Sequence, residues 1–176
     1  MALLPSHRDL LLGQALGGLL LNIPLNGALA WFTFPKVATL PLWARGNCVA
    51  GDVIGTSFFL PLCTCLVLTA LLRPALRAGR LPSLPRAALP WLLRRWPHNL
   101  LGRGALVGLG CALTFAPLCL ALLSSAGVIQ LDRAQVTWLK AIYTGILGLV
   151  VTPLFGWRAL AEGSAAKAQG RTIGSA

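Results

Sequence analysis

A chain of 176 residues with 56% hydrophobic and 11% charged side chains and a mean hydropathy of +0.75 is too apolar for an ordinary water-soluble domain. Its formal charge of +11 sits on arginines clustered at the ends of apolar runs. Those arginines lie on no basic face interleaved with base-stacking aromatics, so lipid is the expected medium and nucleic acid is not an expected partner. Of the five cysteines, Cys48, Cys63, Cys65, Cys111 and Cys119, four fall inside uncharged spans as small apolar packing residues. Cys63-x-Cys65 has no His near it and is closer than a structural zinc spacing, so neither a metal nor another cofactor is expected.

Residues 1–9 form a short polar lead with Arg8 and Asp9, and 10–35 then run 26 residues without a charge. About 20 residues cross the hydrocarbon, so this run predicts a first transmembrane helix. The competing reading is a secretory signal peptide ending at Ala28-Leu29-Ala30; the length of the run and the acid in the lead favour a retained span. Residues 36–48, with Pro41, Trp43 and Arg45, have no periodicity and read as the longer of two outer loops. Residues 53–72 are again uncharged, and Asp52 just before them suggests a second span that begins a few residues ahead of the aspartate.

A basic loop follows at 73–103, with seven arginines, five prolines and no acid. Within it, Trp91-Leu-Leu-Arg-Arg-Trp96 mixes bulky apolar and cationic groups. That suits an interfacial segment in which Trp91 and Trp96 dip into the headgroup boundary while Arg94 and Arg95 meet anionic lipid phosphates. A solvated loop with incidental tryptophans is the alternative that the residues leave open. Residues 104–131 supply 28 uncharged positions for a third span, Asp132-Arg133 makes a short outer turn, and 134–157 is a fourth span interrupted only by Lys140. The Ala-, Gly- and Ser-rich tail carries no apolar pattern and is expected to be disordered. The predicted fold is therefore all-α: a polytopic membrane protein with four transmembrane helices. Its parts are a first hairpin at 1–72, the basic loop at 73–103, a second hairpin at 104–158 and a tail at 159–176.

Eleven lysines and arginines fall on the side of the termini and the basic loop, against three, Lys36, Arg45 and Arg133, on the other. The excess marks the cytoplasmic face and puts both termini inside. Trp31, Trp43 and Trp138 fall near the outer boundary and Trp91, Trp96 and Trp157 near the inner one, as aromatic belts require. Each span also holds a Pro-Leu pair. Pro24 and Pro117 are offset by 93 residues, Pro61 and Pro153 by 92. Such near-equal offsets suggest a duplicated hairpin whose copies form parallel repeats about an axis along the membrane normal.

The polar groups inside the spans need an account. Gln14, Gly18, Asn22 and Asn26 recur every four residues along one ridge of the first helix, which should face other helices or a polar path. Gly13-x3-Gly17, Gly51-x3-Gly55, Gly104-x3-Gly108 and Thr144-x3-Gly148-x3-Thr152 offer small surfaces for close approach. Asp52 and Lys140 are the charges within the membrane boundaries. If the prolines share a depth, the two differ by about 6 Å of rise, within reach of a lysine stem. They can form an ion pair that ties the hairpins together or snorkel separately to outer water. His7 and His98 lie outside the spans, and no catalytic spacing occurs, so an enzyme is not expected.

The stretch Gly51-Asp52-Val-Ile-Gly55-Thr56-Ser-Phe58-Phe-Leu-Pro61, with Asn26 and Ala30-Trp31 before it and Arg73 after it, resembles small uncharacterised bacterial inner-membrane proteins. The resemblance covers roughly the first half of the chain and implies no activity. The small multidrug transporters also have four spans, but they carry an acid in the first, where this chain has Gln14 and asparagines. The expected function is a non-catalytic accessory, scaffold or self-associating bundle of the inner membrane. Its expected partners are the lipid bilayer and its anionic headgroups, and a further copy or another membrane protein. A small transporter or channel subunit using Asn22, Asn26 and Asp52 is the alternative.

Overall fold

The computed structural model describes residues 5–34, 39–78, 80–81, 89–97 and 99–173, with the backbone alone at 5–7, 77, 92 and 163–173. Lys36 and His98 lie outside the described residues, as do 82–88 of the basic loop, 1–4 and 174–176. In chain order the elements are α1 (Pro5–Thr33), β1 (Thr39–Pro41), α2 (Val49–Arg77), α3 (Trp91–Arg94), α4 (Leu100–Ser125), β2 (Gln130–Asp132) and α5 (Arg133–Ile173). Four of the helices are long and apolar enough to cross a membrane: α1 from Arg8, α2, α4, and α5 as far as Glu162.

Helix ends follow local chemistry. Cys48 caps α2, its Sγ accepting the Gly51 amide at 3.3 Å. Asp52 falls in the first turn, where the partial positive charge of the helix start favours an acid. Gly127 ends α4 with a φ of 72°. Its amide reaches Ser124 O and that of Val128 reaches Leu123 O, the paired bonds of a Schellman stop, which requires a left-handed residue there. Asp132 opens α5 through a capping box: its Oδ1 accepts the Gln135 amide at 2.8 Å and Gln135 Oε1 accepts its own at 2.9 Å. The helices run on through Pro24, Pro61, Pro74, Pro117 and Pro153.

The two short connections meet. β1 and β2 pair antiparallel, with Leu40 opposite Leu131, so the α1–α2 and α4–α5 links lie at one end of the bundle, here the strand end. The linker between α2 and α4, with α3, lies at the other, the loop end. The strand pair was not evident in the sequence, where 36–48 reads as plain loop; burial of Leu40 and Leu131 holds it in place.

The chain connects the helices as two hairpins, but the main packing interfaces join α1 to α5, α2 to α5 and α2 to α4. In cross-section the order is thus α1, α5, α2, α4, with α5 near the centre: 61% of its apolar window is buried, against 22–33% for the other three. Exchanging α1 with α4 and α2 with α5 leaves this set of interfaces unchanged. The central strand pair, Leu40 and Leu131, is spaced 91 residues apart, close to the proline offsets.

Small residues set the seams. A Cβ on Gly108 would meet the Phe58 backbone, and one on Gly148 would lie 2.7 Å from Gly18 O. Among the described residues Gly13, Gly17 and Gly55 have nothing within 4 Å, so the Gly13-x3-Gly17 pair and Gly55, which suggested close approach, line no seam there.

The tail expected to be disordered from 159 is instead helical to Ile173. Its first turn belongs to the core: Ala159, Leu160 and Ala161 are all buried. Composition alone hides this, because three small or apolar residues in a polar segment give no period.

Candidate functional site

Charged side chains enter the bundle at both ends. At the strand end, Lys140 of α5 donates from Nζ to Asp52 Oδ1 of α2 at 2.5 Å. Lys140 is 9% exposed and Asp52 21%, so the pair lies at the edge of the packed interior. The α2·α5 interface brings the two positions together; neither helix alone could satisfy its own charge. One turn deeper, Ser57 Oγ donates to Val53 O at 2.6 Å and lies 2.5 Å from Tyr143 Oη. With the serine proton used on the carbonyl, the tyrosine hydroxyl is the donor between them. A small cavity lined by Asp52, Thr56, Lys140, Tyr143 and neighbouring apolar side chains lies beside these groups, with room for about one water.

The polar ridge of α1 faces α5. Asn22 donates to Gly18 O at 2.7 Å, and Asn26 donates to both Asn22 O and Asn22 Oδ1 at 3.2 Å, so the amides are satisfied largely along their own helix. Across the seam, Thr144 Oγ1 lies 3.4 Å from Asn22 O. The Gln14 side chain lies over Gly156, where a Cβ would collide with it, and neither of its amide atoms has a hydrogen-bond partner among the described residues. Gln14 and Asn22 therefore lie against α5, whereas the described bonds of Asn26 stay on α1. Asp52 belongs to a different seam, and α1 and α2 share no main interface.

At the loop end, Arg103 of α4 and Arg158 of α5 are 1% and 2% exposed and converge on one carboxylate. Glu162 Oε1 lies 2.5 Å from Arg103 Nη2 and 3.4 Å from Arg158 Nε. Arg103 also reaches Pro97 O from Nε and Nη2, both at 3.4 Å. This cluster was missed in the sequence. Arg158 and Glu162 have the i, i+4 spacing of a helical ion pair, but the expected end of the span concealed it, and Arg103 looked like the last arginine of a loop. Ser57 with Tyr143 was missed too; the only signal was that Tyr143 is the sole tyrosine.

The four residues expected to contact anionic lipid are divided. Trp91 is exposed, Arg94 and Arg95 are exposed, and the Arg95 guanidinium lies 5.8 Å from the Trp91 ring centre. Trp96, by contrast, is buried and meets Phe155 edge-on at 5.8 Å, with Leu93 buried beside it. An expectation that both tryptophans face outward fails for Trp96: it is the plug that fastens α3 to α5.

The cysteines are all free, and among the described residues no three His, Cys, Asp or Glu side chains converge. No protein-family model, curated protein or solved structure matches this chain.

Proposed function

We propose that this chain is a multi-pass protein of a bacterial inner membrane, with both termini cytoplasmic, which acts as a non-catalytic accessory or scaffold bundle. Insertion is supported by the outward faces of the long helices, where Leu20, Leu21, Phe59, Leu113, Leu122 and Ile142 are among the many large apolar side chains left exposed. Trp31, Trp43 and Trp138 are exposed toward the strand end, as an interfacial belt would be. The lysine and arginine count supplies the orientation. The observation that carries the scaffold reading is the close α1·α5 seam, in which Gln14 lies over Gly156, the Asn22 amide lies against Gly148 and Asn26 bonds back to Asn22. The unchanged interfaces on exchange of halves support a duplicated hairpin with parallel repeats.

A small transporter is the second reading, favoured by the cavity beside Asp52 and Lys140. It would work through the α2·α5 interface alone. Topology is tested by thiol labelling, but Cys48 is buried and serves poorly. Asn47→Cys, in a background without the native cysteines, places an exposed thiol at the strand end. An impermeant maleimide should label it in intact cells; labelling only after the membrane is opened would invert the orientation. Flux of protons or small cations in proteoliposomes above that of empty vesicles would replace the scaffold reading by the transporter.

A further inference from the structure

We propose that the outer surface of α3 is a docking site for an anionic phospholipid, with the lipid phosphate held by Arg94 and Arg95 beside Trp91. The inference rests on the membrane reading above and names a partner for its loop end.

Three observations carry it. First, α3 has two opposed faces within one helical turn. Leu93 and Trp96 are buried, Trp96 against Phe155, and the Pro97 carbonyl accepts from Arg103. Those contacts fix the segment to α4 and α5, so its other face, with Trp91, Arg94 and Arg95, is presented outward by anchored backbone. Second, the cations there are held in place. Arg94 is exposed and its Nε donates to Leu89 O at 2.9 Å, and the Arg95 guanidinium lies 5.8 Å from the Trp91 ring centre. Two exposed guanidiniums, each with one anchoring contact, beside an exposed indole suit a phosphodiester at a headgroup boundary. Third, the charge at this end calls for anions from outside. Of the four acids in the sequence, Asp52 and Asp132 lie toward the strand end. Glu162 is engaged with Arg103 and Arg158, and Asp9 is exposed near the start of α1. Exposed Leu101, in the first turn of α4 just past this segment, begins an apolar face for acyl chains.

The test is native mass spectrometry of the purified full chain, exchanged into micelles holding equal phosphatidylglycerol and phosphatidylcholine. The wild type should retain phosphatidylglycerol with about tenfold preference, and Arg94→Gln/Arg95→Gln should bring that to within about twofold of parity. Arg45→Gln, the same charge loss at the exposed strand end, should leave the preference intact. Where the double variant is not monodisperse, Arg95→Gln alone decides, with an expected drop of about threefold. Persistence of the preference in these variants, or equal loss in Arg45→Gln, overturns the site. Displacement of the lipid by millimolar inorganic phosphate would make it a phosphate site and overturn the lipid assignment. Failure here would leave the labelling of Asn47→Cys unchanged, so it can be told apart from failure of the membrane reading.

Discussion

The two ends of the bundle bury charge in different proportions. At the strand end one carboxylate meets one ammonium, Asp52 with Lys140, and the pair is electrically closed. At the loop end one carboxylate, Glu162, serves two buried guanidiniums. Removing a charge from water is costly and is offset only by a close partner and further hydrogen bonds. A one-to-one pair can therefore act as a clasp at the rim of a helix interface. Among the described residues, the two guanidiniums share Glu162 as their carboxylate, which makes that acid a keystone of the cluster. The strand end thus holds a closed pair, and the loop end a shared acid.

Three substitutions would break or sharpen that comparison. The largest effect is expected for Glu162→Ala, which leaves Arg103 and Arg158 buried without their carboxylate and should cost about 3–5 kcal/mol. In thermal-aggregation assays of the purified chain it should lower the midpoint more than any single change at the strand end. A midpoint near that of the wild type would show that other contacts satisfy both arginines. Next comes Asp52→Ala, which strands Lys140. Because Asp52 is partly exposed, about 2 kcal/mol is expected. The reversed pair Asp52→Lys/Lys140→Asp should recover part of the loss, and no recovery would mean that each charge is solvated independently. The smallest effect is expected for Arg133→Ala at the start of α5. Arg133 stacks over Trp31 at 3.7 Å and donates from Nη2 to Trp31 O at 2.7 Å. At this half-buried site the loss should be about 1 kcal/mol, and a shift rivalling that of Asp52→Ala would make the Arg133–Trp31 contact the principal lock.

Much of the frame was legible in the chain. Uncharged runs of 20 or more residues have one low-energy outcome in lipid, because a helix satisfies every backbone group within itself. Asp52 at the start of the second helix and Lys140 within the fourth were visible as charges that need an account. A shared depth, set by the prolines, was enough to nominate them as a pair. The Arg103–Glu162–Arg158 cluster was not legible, since its members come from a loop end and an apparent tail. They become neighbours only when α4 and α5 both pack against α2. Trp96 is a similar case: its composition matches that of Trp91, and only the contact with Phe155 distinguishes a plug from an anchor.

From the residues alone follow four long apolar helices, the approximate positions of their ends apart from the C-terminal end of α5, and the asymmetry of lysine and arginine between the two ends. Each of these depends on local hydropathy, length and charge, which a linear chain carries in full. Tertiary structure alone decided that α5 packs between α1 and α2 while α4 takes the far side of α2, that the two short connections join as strands, and which glycines lie in a seam. Helices in an apolar medium choose neighbours by shape at a few small residues, and many glycine spacings look alike in sequence. Gly13 and Gly17 face open space whereas Gly18 lies against Gly148. A one-residue step turns a helix by about 100°, and only the assembled bundle selects the face that is used.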